Sequence, residues 1–183
     1  MKNLVIIIIA LSACCIGKSM AQAPDYSKTV KEKLAPFSAW IGKWKGEGTM
    51  QMGQGQAQKT FVDEQINWHL DGTVILINGL GRTIDPSTKK ENIVHEALGV
   101  LTYNAVENRY TFRSWLRTGM STDAWFEIVN NNSYQWGFDV PQGKIRYTIN
   151  LDTTKNTWNE FGEFSMDGKN WLKFFEMNLK KTE

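Results

Sequence analysis

The sequence predicts an all-β protein, an antiparallel up-and-down barrel of about ten strands with one short N-terminal helix. Three observations support this fold class. Short strand-like runs, separated by turns rich in Gly, Asn and Asp, follow one another regularly between Trp40 and Leu179. No helix-length segment interrupts them, whereas parallel pairing needs a crossover connection of about a dozen residues or more. An open sheet of this length would leave two unprotected edges, so closure is favoured.

Residues 1–21 have the features of an export signal. Lys2 precedes an apolar run at residues 4–11, and Ser19 and Ala21 place small residues where a signal peptidase reads them. We expect cleavage after Ala21, which leaves residues 22–183 as a single domain in the periplasm or outside the cell. The alternative is a lipoprotein anchored to a membrane at Cys14, because residues 11–14 match a lipobox.

Cysteine content and charge limit the chemistry of residues 22–183. The two cysteines, Cys14 and Cys15, both precede this segment, which excludes disulfides, thiolate nucleophiles and cysteine metal sites from it. The formal net charge of +2 is carried by Lys2 and Lys18, so the remainder has a net charge of zero. We therefore expect neither nucleic acid nor, unless Cys14 is lipidated, a membrane as partner.

One helix precedes the strands. Ser27 can cap it, and Val30 and Leu34 fall on one face of the run from residue 29 to residue 34. Pro36 is expected to end this helix. Its apolar face predicts that it covers one end of the barrel.

The strands follow in order. The predicted runs are residues 43–52, 59–70, 73–82, 93–103, 109–117, 122–129, 133–140, 144–152, 157–165 and 171–179. Residues 53–55 and the pair Asp71-Gly72 have typical turn chemistry, and residues 85–92 form a polar loop. Since every connection is short, each strand is expected to pair with its neighbours in the chain.

Alternation within strands predicts which side chains share the interior. Ile145, Tyr147, Ile149 and Leu151 form one apolar face, and Tyr134, Trp136 and Phe138 form another. Arg146 is then exterior. The strand at residues 109–117 is ambiguous, because Phe112 lies on one face and Trp115 on the other, next to Arg113. An inward Arg113 would anchor an anion, while an outward one would be solvated.

Aromatic content points to a ligand. The chain has eight Trp, nine Phe and five Tyr residues, and a barrel of about ten strands is too wide for side chains to fill completely. We expect a small, mostly apolar or aromatic ligand in the interior. The candidate contacts are Trp115, Trp136, Tyr147, Arg113 and His95.

Two other functions remain open. His95 together with Glu160 or Glu176 could serve an isomerase or hydrolase, if these side chains share one cavity. A non-catalytic surface or assembly protein is the third possibility. No catalytic motif is present in the sequence. His69 and His95 are too far apart in the sequence to match the spacing of a zinc site. The sequence therefore predicts no catalytic residue and no metal ligand.

The segment Gly42-Lys43-Trp44, which follows the short helix, resembles the Gly-x-Trp start of lipocalins and other calycins. In that group a basic residue late in the final strand packs over the tryptophan and closes the barrel end. The resemblance implies that Lys180, or its neighbour Lys181, does this for Trp44.

Five further segments, residues 40–48, 95–98, 110–114, 136–138 and 174–177, are similar to a bacterial domain-of-unknown-function family. Its members are often exported and are related to nitrobindins and fatty-acid-binding proteins. The resemblance implies a single lipocalin-like barrel over residues 22–183. Nitrobindins hold haem through a histidine in a late strand. No histidine follows His95 in this chain, so the resemblance does not imply haem, and no cofactor is predicted.

Overall fold

The computed structural model describes residues 23–51, 55 and 57–183. The predicted export signal and Cys14 lie outside the described residues, and so do Met52, the last residue of the first predicted strand, and residues 53 and 54 of the predicted turn. Within the described part of the chain, none of the helices has the length and apolar character needed to cross a membrane.

Ten antiparallel strands form a closed barrel in which each strand pairs with its neighbours in the chain and the first pairs with the last. The strands are β1 (Gly42–Met50), β2 (Gln58–His69), β3 (Val74–Ile84), β4 (Glu91–Asn104), β5 (Arg109–Leu116), β6 (Ser121–Asn130), β7 (Ser133–Val140), β8 (Gly143–Asp152), β9 (Thr157–Ser165) and β10 (Leu172–Lys181). This confirms the predicted all-β, up-and-down barrel with a short N-terminal helix.

The largest error in the predicted boundaries concerns β3 and β4. β3 continues to Ile84, beyond its predicted end at residue 82, and β4 begins at Glu91, inside the loop predicted at residues 85–92; Ile84 pairs with Glu91 and Thr83 with Asn92. Alternation gave no signal here, because the side chains of Thr83, Ile84, Glu91 and Asn92 lie near the open end of the barrel and are not buried. Pairing with the neighbouring strand, rather than burial, extends the ladder.

The helix α1 spans Ser27–Leu34 and continues into a 3₁₀ helix at Ala35–Trp40. Ser27 is not the cap: it is the first helical residue, and its backbone N–H donates to Asp25 Oδ1 at 2.9 Å. The α-helix ends at Leu34, before Pro36, as predicted. Pro36 itself lies in the first turn of the following 3₁₀ helix, where its missing N–H removes no helical hydrogen bond.

The 3₁₀ helix closes one end of the barrel with two aromatic side chains. Phe37 and Trp40 are 0% and 1% exposed. The Trp40 ring lies 4.7 Å from the ring of Trp158, centroid to centroid. The Tyr110 hydroxyl donates to the backbone oxygen of Lys33 at 2.8 Å, which holds α1 against β5. The main hydrophobic core therefore lies at this end of the barrel.

Lys181, and not Lys180, packs over Trp44, the tryptophan of the Gly-x-Trp segment. Its Nζ lies 5.3 Å from the Trp44 ring centroid and donates to the backbone oxygen of Ala39 at 3.2 Å. The reason is register: Trp44 pairs directly with Lys181, whereas Lys180 pairs with Lys45 on the other side of the wall. Successive strand residues alternate between the two sides.

Candidate functional site

The barrel interior is open at the end opposite α1. Interior-facing residues near the helix, such as Ile66 and Leu101, are completely buried. Further from the helix, interior-facing side chains keep partial exposure, namely Glu64, Ile77, Ala97, Trp136, Tyr147, Phe164 and Phe175. Because these side chains point inward, the surface that they expose borders the interior space. We call the open end the mouth; residues 85–90, 117–120 and 141–142 form turns there.

A stacked aromatic pair forms one wall of this space. Trp136 on β7 and Tyr147 on β8 are directly paired, and their rings stack at 4.1 Å between centroids with an interplanar angle of 10°. Phe112 meets Trp136 edge-on at 5.0 Å, while Phe174 and Phe175 meet Tyr147 edge-on at 5.9 and 6.0 Å. These contacts hold the stacked pair in a defined orientation, which suits a flat ligand.

Glycines opposite the aromatic residues make this arrangement possible. Gly162 pairs with Tyr147, and a Cβ at Gly162 would lie 2.7 Å from a carbon of the Tyr147 ring. A Cβ at Gly99 would lie 2.9 Å from the Phe112 ring. Both distances are shorter than van der Waals contact, so any larger residue would displace the rings.

Glu160 is held beside the aromatic wall by two indoles. Its carboxylate accepts hydrogen bonds from Trp136 Nε1 at 3.1 Å and from Trp158 Nε1 at 3.2 Å, and the residue is 7% exposed. Burial raises the pKa of Glu160 to about 7, although the two indole donors act in the opposite direction. Trp136 thus forms part of the aromatic wall and also donates a hydrogen bond to the Glu160 carboxylate.

Glu64 on β2 faces the same interior, between Trp44 and Gly79 on the neighbouring strands. Its Oε2 is buried and has no hydrogen-bond partner among the residues that the structure describes. Burial, and then the negative charge of Glu160, raise the pKa of Glu64 to about 8. A Cβ at Gly79 would lie 2.8 Å from Glu64 Oε1, so glycine leaves room for this carboxyl group.

Glu64 was not predicted from the sequence. The sequence does contain a pattern that places Glu64 inside the barrel. Val62, Ile66 and Trp68 face inward, and Glu64 lies on the same face because it is two residues from Val62 and from Ile66. Asp63 makes this pattern hard to recognise, because two adjacent carboxylates suggest a strand that is exposed to solvent. Asp63 in fact lies on the outer wall, paired with Arg82 and Lys45.

Histidine and glutamate positions bear on the enzyme alternative. His95 faces the interior near the mouth, and partial burial lowers its pKa. Glu176 lies on the outer wall, where it accepts from Asn159 Nδ2 at 3.2 Å and pairs with Lys173. His95 and Glu176 are therefore on opposite sides of the wall. No hydrogen bond joins His95 to Glu160 within residues 57–183, and no metal-binding group of three ligands occurs among the described residues.

Trp115 and Arg113 do not line the interior, contrary to their selection as ligand contacts. Arg113 pairs with Asp123 at 3.2 Å, and its guanidinium carbon lies 5.2 Å from the Trp115 ring centroid. Both residues are exposed on the outer wall. The buried Phe112 settles the direction of β5, because its immediate neighbour in the strand must point the other way. Of the five candidate contacts, Trp136, Tyr147 and His95 face the interior.

Two clefts lie on the outer wall and are distinct from the interior. One, of about 940 Å³, runs across β8, β9, β10 and β1, and its side chains include Lys45, Asn159 and Asn178. The other, of about 640 Å³, crosses β1 to β5 and includes Gln65 and Trp115. Both grooves are open to solvent and are lined by a mixture of charged, polar and apolar residues.

A closed ten-stranded antiparallel barrel, covered by a helix at one end and open at the other, is a lipocalin-like fold. No protein-family model and no curated protein matches the chain. Among solved structures it is similar to Rv2717c from M. tuberculosis, with 10% identity and a TM-score of 0.59 over 82% of this chain and 97% of that one. It is also similar to the S-type phycobiliprotein lyase CPES from Guillardia theta, with 13% identity and a TM-score of 0.55 over 87% and 99% of the two chains. At such identities the similarity concerns the fold alone.

Proposed function

We propose that this protein is an exported, non-catalytic lipocalin-like protein that binds a small, mostly apolar, planar ligand inside the barrel. The observation that carries the proposal is the stacked pair of Trp136 and Tyr147, which borders the open interior. Apolar surface in contact with water costs about 25 cal/mol per Å², and a flat apolar ligand placed there would remove it. The similarity in fold to a phycobiliprotein lyase is compatible with binding in the barrel.

Export and ligand can be tested together on protein from the native host. We expect the exported form to begin at Gln22 and to carry a small aromatic compound that native mass spectrometry detects. A lipid-modified N-terminus at Cys14 would favour the lipoprotein alternative. Recovery only from the cytoplasm, with residues 1–21 intact, would refute export.

Replacing Trp136 by alanine is expected to weaken the binding of planar aromatic compounds by about tenfold or more, because one of the two stacking partners is lost. Trp115→Ala is the matched control, since it removes the same side chain from the outer wall. We expect it to leave the affinity unchanged. Titration of both variants by isothermal calorimetry with a panel of bicyclic aromatic compounds measures the difference. Equal effects of the two substitutions would place the binding site outside the barrel.

A further inference from the structure

The barrel interior contains a second feature besides its aromatic wall, a pair of carboxyl groups. We infer that Glu64 and Glu160 anchor a positively charged group of the ligand, so that the site takes a planar aromatic cation. This inference rests on the proposed ligand binding and specifies the class of ligand. It is carried by the buried Oε2 of Glu64, which has no partner among the described residues, and by the inward position of both carboxyl groups. Trp44, which pairs with Glu64, and Trp158, which donates to Glu160, are in ring contact at 5.6 Å between centroids. No lysine or arginine among the described residues pairs with either carboxyl group.

The anchor and the aromatic wall are parts of one site because Trp136 belongs to both. Its ring stacks on Tyr147, and its Nε1 donates to Glu160. A flat molecule placed against this wall therefore has a carboxylate at the edge of the wall. The second indole donor, Trp158, fixes the remaining oxygen of Glu160.

Glu64 is the half of the anchor that has no partner. Its Oε2 is buried without a hydrogen bond in the part of the chain that the structure describes. A buried polar atom in this state is costly unless a donor reaches it. The fold nevertheless accommodates the carboxyl group, since Gly79 leaves the space that a Cβ would occupy.

No lysine or arginine among the described residues forms an ion pair with Glu64 or Glu160. The basic residues next to Glu64 in the register of β1, Lys43 and Lys45, and Arg82 further along β3 pair with acidic groups on the outer wall or at the C-terminus. Lys181 approaches from the helix end but is bound to Ala39 and Trp44. Other titratable groups of the described residues that face the interior include His95 near the mouth, Tyr147, and Tyr110 and Tyr134 at the helix end. Burial lowers the pKa of His95 and raises the pKa of each tyrosine, so all four are uncharged at neutral pH.

A bound cation would supply the missing charge. At neutral pH the two carboxyl groups retain a proton between them, because ionising both places two negative charges in the same buried space. When the cation enters, that proton leaves Glu64 for solvent and both carboxylates face the ligand. Binding of a permanently charged ligand therefore becomes tighter as the pH rises from about 6 to about 8.

The test compares three bicyclic probes of similar shape: 4-aminoquinoline as the cation, quinoline as the neutral compound and 1-naphthoate as the anion. Binding to the full chain from Gln22 onward is followed by calorimetry at about pH 8, where the proton is most easily released. We expect 4-aminoquinoline to bind about tenfold tighter than quinoline, and 1-naphthoate to bind more weakly than quinoline. This comparison uses the wild-type protein and does not depend on the folding of any variant.

Substitutions then test whether the tighter binding of the cation depends on Glu64. Glu64→Gln is expected to reduce the affinity for 4-aminoquinoline severalfold, towards that for quinoline, because only Glu160 then carries a negative charge. Quinoline itself is expected to bind as before. Glu176→Gln, on the outer wall, is the matched control and should change neither affinity. If quinoline and 4-aminoquinoline bind equally to the wild-type protein, the anchor is refuted and ligand binding stands. If none of the three probes binds, both the anchor and the proposed binding of planar aromatic ligands are refuted.

Discussion

Replacing Trp40 by alanine is expected to lower the free energy of unfolding by about 3–5 kcal/mol, the usual effect of truncating a fully buried tryptophan. Trp40 is 1% exposed. Its ring lies 5.1 Å from that of Phe37, 4.9 Å from that of Tyr134 and 4.7 Å from that of Trp158. Its loss would leave a cavity between the 3₁₀ helix and the barrel. Urea denaturation followed by far-UV circular dichroism measures the effect without relying on tryptophan fluorescence.

Trp115→Ala is the control for this prediction. Trp115 is 39% exposed on the outer wall, so its truncation should cost less than about 1 kcal/mol. Similar losses for the two variants would show that the helical segment contributes little to the core. A loss confined to Trp40→Ala would show that the packing of Trp40 at the covered end of the barrel contributes to stability.

The wild-type protein is expected to become less stable as the pH rises from about 5 to about 9. The ordinary pKa of a glutamate is 4.5, and burial raises the pKa of Glu64 to about 8 and that of Glu160 to about 7 in the folded state. In this range the folded state holds more protons than the unfolded state, so stability is greatest at the acidic end and is lost towards the alkaline end. Glu64→Gln removes the larger part of this dependence.

At about pH 9, Glu64→Gln should be more stable than the wild-type protein by at least about 1.4 kcal/mol, the equivalent of one pKa unit. Urea denaturation at several pH values measures the slope. Glu176→Gln is the control, because hydrogen bonds from Lys173 and Asn159 lower the pKa of Glu176 and move its effect below this range. An unchanged slope in Glu64→Gln would mean that Glu64 ionises in the folded state without penalty.

Much of the fold could be predicted because it depends on local patterns. The regular strands, the short connections and the alternation at Tyr147 and Trp136 were sufficient for an up-and-down barrel with these side chains inside. The errors occurred where local pattern is ambiguous. The strand with both Phe112 and Trp115 offers two apolar faces, and only the packing of Phe112 against Phe126 and Trp136 decides between them.

Closure of the barrel is a second case in which the local sequence does not decide between two residues and the tertiary structure does. Two adjacent lysines near the C-terminus are equivalent in sequence, and both could reach Trp44. Strands β1 and β10 lie more than a hundred residues apart in the sequence. The register of their pairing places Lys181 opposite Trp44. A shift of one residue would have selected Lys180, because neighbouring positions in a strand lie on opposite sides of the wall.

The sequence by itself determined the strands, their order and the side of the wall on which most apolar residues lie, since these follow from periodicity and short connections. Only the tertiary structure decided that Glu64 and Glu160, on β2 and β9, both lie inside the barrel beside the contacting rings of Trp44 and Trp158. Alternation indicates that a residue points inward, but it says nothing about which residues from distant strands meet there. The desolvation and mutual repulsion that perturb these two carboxyl groups arise from that meeting, and therefore from closure of the barrel.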